Sequence, residues 1–168
     1  MSETPRIYAA CLASYNNGSL YGEWIDADQG ADDIQTEITE MLRASPEPGA
    51  EEWAIHDYEG FCGLSIGEYE NIESVSLLAQ LITKHGAAFA CYLSDKGAEY
   101  ATEEHFQADY SGEHENEESF AEDWFRECNE IPKELDDYID WERVASDLFI
   151  SDFMSQKYEG KTYVFHRS

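Results

Sequence analysis

Carboxylates repeated at helical spacing are the side chains with the clearest chemical potential in this sequence. Four pairs of acids lie four residues apart: Asp33/Glu37, Glu113/Glu117, Glu118/Glu122 and Asp123/Glu127. Residues at this spacing are neighbours on a helix, where like charges cost roughly 0.2–0.5 kcal/mol per pair. A sequence optimised for stability alone would alternate the signs. The pattern therefore predicts a surface that presents negative charge to a basic partner.

The whole chain shares this bias. Its 168 residues include 37 acids and 10 bases, for a net charge of −27. Such a charge disfavours direct binding to nucleic acid or to an anionic membrane, because those contacts need Lys and Arg. The chain is also 42% hydrophobic and 14% aromatic, which indicates a folded protein rather than an acidic tail. Charge alone leaves a second interpretation open, an acidic protein adapted for solubility or high salt.

Calcium binding is another use to which the N-terminal acids could be put. The segment from Asp26 to Glu37 has the length of a calcium loop, with Glu37 at the twelfth position. The sixth position, normally Gly, is Ala31, and the fifth is Gly30, which offers no side-chain ligand. These departures favour an acidic loop that leads into a helix. A calcium-binding module stays the alternative.

Catalytic groups are not indicated. The five histidines show no HExxH spacing, and no GxSxG or glycine-rich phosphate motif occurs. The four cysteines are too far apart for a CxxC pair and are expected to be reduced, mostly buried thiols: Cys11, Cys62, Cys91 and Cys128. We therefore predict no catalytic residue, no metal and no cofactor.

A ββαβ unit is predicted for the first sixty residues. Residues 6–13 are predicted to form a strand, and residues 22–26 the return strand. The Asn-Gly pair at 17–18 between them predicts a hairpin turn. An amphipathic helix over 32–43 and a third strand over 52–57 complete the unit. The tryptophans are assigned to the core by default: Trp24, Trp53, Trp124 and Trp141.

The rest of the chain is predicted to be mainly helical. The first expected elements are a helix capped by Asn71 and ended by Gly86, and a second helix over 87–93. They are followed by a helix over 117–128, a short turn over 132–135 and a helix over 141–148 that is capped by Asp140. A strand over 162–166 comes last. The predicted fold class is α+β, an elongated chain of three small domains. They are an N-terminal antiparallel sheet with a helix (1–61), a helical middle domain (62–103), and an acidic, mixed α/β C-terminal domain (104–168).

Targeting signals are not indicated by this sequence. It contains no apolar run of membrane-spanning length, and its first residues lack a basic region followed by a long apolar stretch. The expected location is the cytoplasm.

Several segments resemble the ArdA antirestriction family. They are Tyr15–Gly18, Gly22–Asp26, Glu51–Phe61, Glu68–Tyr69, Glu130–Pro132 and Asp147–Ile150. The resemblance implies a non-enzymatic DNA mimic carried by conjugative plasmids and transposons, which binds type I restriction-modification enzymes and blocks their access to DNA. It also implies a curved homodimer with dimer contacts in the C-terminal domain.

The acid pattern and the resemblance together predict a partner-binding surface. Its residues are Asp26, Asp28, Asp33, Glu37 and Glu40 in the N-terminal part, and Asp109, Glu113, Glu115, Glu117, Glu118, Glu122 and Asp123 in the C-terminal part. The stretch 125–132 resembles the family's antirestriction motif and is assigned to dimer or target contact, through Phe125, Cys128, Ile131 and Pro132. The expected partners are a type I enzyme and a second copy of the chain, without direct nucleic acid or membrane binding.

Overall fold

The computed structural model describes residues 3–167 and has the predicted α+β fold, with 46% helix and 21% strand. By its internal contacts the chain divides into two compact units, Met1–Ala90 and Cys91–Ser168. Each unit has its own three-stranded antiparallel sheet. The division into three small domains stays a prediction.

The first unit is built on the predicted ββαβ arrangement. Its elements are β1 (Arg6–Cys11), α1 (Leu12–Asn16), β2 (Gly22–Asp26), α2 (Ala31–Arg43), β3 (Trp53–Glu59) and α3 (Ile72–His85). The sheet order is β2-β1-β3, so β1 is the central strand. Its inward residue Ile7 is fully buried together with Ile34 and Ile38 of α2. Burying an aliphatic side chain of this size contributes about 1.5–3 kcal/mol, which explains why α2 covers this face of the sheet.

The connection from β1 to β2 differs from the predicted hairpin. Strand pairing ends at Ala10 opposite Gly22, and α1 occupies part of the intervening chain. Ser14 of α1 is fully buried, and its Oγ lies 3.2 Å from the Oγ of Ser45. The Asn-Gly pair therefore lies in a longer loop, where Gly18 adopts a φ of 84°. A tertiary contact to the segment after α2 overrides the local turn signal.

The second unit places helices against the sheet β4-β6-β5. Its elements are α4 (Ala87–Lys96, which begins in the first unit), α5 (Glu103–Asp109), β4 (Tyr110–His114), α6 (Glu117–Cys128), α7 (Lys133–Asp136), α8 (Trp141–Ser151), β5 (Phe153–Tyr158) and β6 (Lys161–His166). Phe120 of α6 and Leu148 of α8 pack with Phe153 and Val164 of the sheet. Two residues with positive φ, Glu159 and Gly160, join β5 to β6, as a two-residue hairpin turn requires.

Several sequence expectations need correction. The prediction did not include α5, β4 or β5, and it ended α4 and α8 too early. Trp24 is not in the core, because 39% of its surface is exposed. Cys128 is also exposed, and Cys62 is half-buried, whereas Cys11 and Cys91 are buried as expected.

Candidate functional site

The N-terminal acids of the predicted surface lie at the end of β2 and along α2. Asp26, Asp33 and Glu40 are exposed. Asp26 is the last residue of β2, and Asp33 lies in the first turn of α2. A carboxylate near a helix N-terminus interacts favourably with the helix dipole. This position partly offsets the repulsion between neighbouring acids.

Two acids of this group are oriented by neutral donors. Asp28 accepts a hydrogen bond from the Thr83 hydroxyl at 3.2 Å, and Glu37 accepts one from the Gln29 amide at 2.8 Å. Both acids are half-buried. Neutral donors fix the positions of these carboxylates without cancelling their charge. Within residues 3–167, none of the five predicted N-terminal acids forms an ion pair.

Asp109 lies away from the surface on which it was predicted. Only 6% of it is exposed, and its carboxylate accepts a hydrogen bond from the Tyr92 hydroxyl at 2.6 Å. Burial, followed by this hydrogen bond, raises the pKa of Tyr92 above its ordinary value. The sequence prediction was wrong here, because the short helix α5 ends at Asp109 and turns its carboxylate into the core of the second unit.

The spacing of Glu113 and Glu117 also has a different meaning from the one predicted. Glu113 lies in β4 and Glu117 begins α6, so the two are not neighbours on a helix. Glu113 pairs with the Lys161 ammonium at 2.9 Å, and Glu117 accepts a hydrogen bond from the Ser155 hydroxyl at 2.6 Å. The ion pair raises the pKa of Lys161, chiefly through its hydrogen bond to Glu113.

Helix α6 and the residues just before it carry several exposed acids of the second unit. Glu118 and Asp123 are exposed, as is Glu115 just before the helix. Glu127, which the site prediction left out, is exposed on the same helix. In the part of the chain that the structure describes, these four acids form no ion pair. Their negative charge is therefore available to a partner.

Arg126 joins three elements of the second unit. Its guanidinium binds Glu122 of α6 at 2.9 Å and Asp136 of α7 at 2.7 Å. The same group lies 5.0 Å from the ring centroid of Trp141, at the start of α8. Hydrogen bonds to Asp136 and then Glu122 raise the pKa of Arg126, and the Arg126 hydrogen bond lowers the pKa of Asp136. The sequence prediction missed this residue, although its spacing of four from Glu122 is a usable signal.

The stretch 125–132, which resembles the antirestriction motif and includes Arg126, combines apolar and polar surface. Phe125 is half-buried and packs edge-on against Trp141, with ring centroids 5.8 Å apart. Ile131 is half-buried, whereas Cys128 and Pro132 are exposed. An open pocket here is lined by Arg126, Asn129, Glu130, Ile131 and Pro132. Shortly after it, Leu135 and Tyr138 expose 55% and 84% of their surfaces.

Residues 3–167 contain no cluster of side chains arranged to bind a metal ion. No group of three His, Cys, Asp or Glu residues there could hold an ion. In the same residues, no helix has both the length and the hydrophobicity needed to cross a bilayer.

Comparison with protein-family models gives a match over most of the chain. A family model described as Antirestriction protein (ArdA) matches residues 7–161. A comparison with curated proteins finds no match. The matched range contains both acidic regions described above and the stretch 125–132.

Proposed function

Because this chain belongs to the ArdA antirestriction protein family, we propose that it is a DNA mimic that binds type I restriction-modification enzymes and blocks their access to DNA. Family membership itself implies an antirestriction function. The finer proposal is supported by one observation above all: both units have exposed carboxylates that form no ion pair with any residue in the described range 3–167. Asp26, Asp33 and Glu40 represent the first unit, and Glu118 and Asp123 the second.

The proposed mechanism is electrostatic competition. Duplex DNA carries one negative charge per roughly 1.7 Å of its axis, and a protein that binds it supplies matching Lys and Arg. Carboxylates on a helix, with neighbouring Cβ atoms about 5–6 Å apart, offer the same cations an alternative ligand. No bond is made or broken. Association between opposite charges of this size is fast and sensitive to salt.

The assembly and biological setting belong to the same proposal. The active form is a homodimer in the cytoplasm, and it protects DNA that enters with a conjugative plasmid or transposon. The stretch containing Phe125, Cys128, Ile131 and Pro132 supplies dimer or target contacts. The chain does not bind nucleic acid directly, because its net charge of −27 repels phosphates.

A displacement titration tests the proposal. The full chain is added to a type I enzyme that holds fluorescently labelled duplex DNA, and the release of DNA is followed by anisotropy. We expect release that saturates with added protein. An acidic protein with no such partner would leave the anisotropy unchanged, and that result contradicts the proposal. Calorimetry with calcium separately tests the alternative of a calcium-binding module at 26–37.

Charge reversal on α6 tests whether the interaction is distributed. We expect Glu118→Lys alone to weaken displacement modestly, and the combined reversal of Glu118, Asp123 and Glu127 to Lys to abolish it. The matched triple substitution to Gln should give an intermediate loss, because it removes charge without adding repulsion. A large loss from Glu118→Lys alone, with an unchanged circular dichroism spectrum, would contradict a distributed surface.

A further inference from the structure

The solvent-facing side of the first unit's sheet carries a regular grid of side chains. Tyr8 lies opposite Trp24 on one neighbouring strand and opposite Asp57 on the other. Arg6, two residues earlier, lies opposite Asp26 and Glu59. Directly opposed residues in an antiparallel sheet project from the same face. We call this surface the N-terminal sheet face, which consists of Arg6, Tyr8, Trp24, Asp26, Asp57 and Glu59.

This face lies opposite the core. The alternating residues of the same strands, Ile7 and Ile25, are buried under α2, whereas Trp24 exposes 39% of its surface. Asp26 and Asp57 are exposed as well. The exposed part of this large indole ring contributes little to the stability of its own fold. Its position among carboxylates suggests a role in contact with another molecule.

The face already holds one guanidinium. The Arg6 guanidinium carbon lies 5.1 Å from the centroid of the Trp24 ring, and the Tyr8 ring centroid lies 5.5 Å from that of Trp24. The same guanidinium pairs with the carboxylate of Glu59. Arginine thus combines stacking on a ring with binding to a carboxylate here. Asp26 and Asp57 form no ion pair within residues 3–167, so they remain available for a second cation.

We propose that the N-terminal sheet face receives an arginine side chain of the partner protein, which stacks on Trp24 and pairs with Asp26 or Asp57. The proposal rests on the proposed function for the basic character of that partner. The face contains three carboxylates but only one guanidinium, so its net negative charge is complementary to a cation. Carboxylates alone attract Lys and Arg alike, whereas an aromatic face favours the planar guanidinium. The sheet face therefore adds a preference for arginine that the acidic helices do not provide.

Two peptides of equal charge test this preference. Labelled hexa-arginine and hexa-lysine are titrated with the full chain at one ionic strength, and the ratio of their dissociation constants is measured by anisotropy. We expect tighter binding of hexa-arginine, and a fall of about two- to fivefold in its advantage when Trp24→Leu removes the ring. Trp24→Phe should give an intermediate ratio. Trp24→Thr, which suits a strand, repeats the test if the Leu variant folds poorly.

A control separates this ring from other exposed aromatics. Tyr69 exposes 74% of its surface and lies outside the N-terminal sheet face, so Tyr69→Leu should keep the wild-type ratio. A ratio that is the same in the wild type and in Trp24→Leu overturns the inference. The proposed function fails by a different result, namely DNA that stays bound to the type I enzyme when the wild-type chain is added.

Discussion

Single neighbours decide which acids of this chain keep their charge for a partner. Glu122 and Asp123 are adjacent in sequence, yet Glu122 is paired with Arg126 whereas Asp123 is exposed and unpaired in the described part of the chain. The difference is geometric, because Arg126 follows Glu122 by four residues and so lies beside it on the helix. Asp109 shows the other outcome, a buried acid that is held by Tyr92.

The hydrogen bond between Tyr92 and Asp109 is predicted to stabilise the second unit. Tyr92→Phe removes the hydroxyl that binds a carboxylate exposed by only 6%. We expect the free energy of unfolding to fall by about 1–3 kcal/mol, because a buried acceptor loses a donor. Urea denaturation measures the change. Tyr138→Phe is the matched control, since Tyr138 is 84% exposed and should tolerate the loss of its hydroxyl. Equal stabilities of the two variants would contradict a structural role for the bond.

Helix ends explain how acidic helices remain stable. Glu117 and Glu118 lie in the first turn of α6, and Asp32 and Asp33 in the first turn of α2. Negative charge at a helix N-terminus is worth typically 0.3–1 kcal/mol at low salt, about the size of the like-charge penalty along the helix. Asn116 also caps α6, accepting a hydrogen bond from the Ser119 amide at 2.8 Å. The acids of these first turns therefore lie where the helix itself tolerates them.

The cap of α3 provides a prediction at the scale of an element. The Asn71 side chain accepts hydrogen bonds from the amides of Glu73 at 2.8 Å and Ser74 at 3.4 Å. Asn71→Ala should lower the free energy of unfolding by about 0.5–2 kcal/mol, whereas Asn71→Ser should largely preserve it. Thermal denaturation of the two variants measures the difference. If alanine proves as stable as serine, the cap does not stabilise α3.

For the whole molecule, the same charge that suits a basic partner opposes folding. The chain has a net charge of −27, and its excess carboxylates repel one another when folding brings them close together. Salt screens that repulsion. Raising the salt from about 0.01 M to about 1 M shortens the screening length from about 30 Å to about 3 Å. Stability and binding should therefore respond to salt in opposite directions.

A salt series tests this opposition. We expect the Tm of the full chain to rise with sodium chloride, while the dissociation constant of the chain for the DNA-free type I enzyme also rises. Differential scanning calorimetry measures the first effect, and an anisotropy titration of the fluorescently labelled chain with DNA-free enzyme measures the second. The triple Gln variant of α6 is the control, and its Tm should depend less steeply on salt. A Tm that falls with salt would show that repulsion between the acids does not govern how stability responds to salt.

The helices with strong local signals were the most predictable part of the fold. The Asn71 cap, the Gly86 end of α3 and the start of α6 all lie at the predicted residues. Such features depend on residues three or four apart, which a linear reading captures. The strands β4 and β5 were missed because neither alternates clearly between apolar and polar residues. Their pairing with the central strand β6 depends on partners distant in sequence.

The properties of the candidate site also differ in whether local sequence or long-range contacts determine them. Composition and short motifs were enough to establish the sign and amount of charge, the α+β class and the family resemblance. The folded chain was needed to show which acids are exposed, paired or buried, and that Trp24 shares a sheet face with Arg6 and Asp57. Charge neutralisation and burial depend on distances between side chains, and residues far apart in the chain set most of those distances.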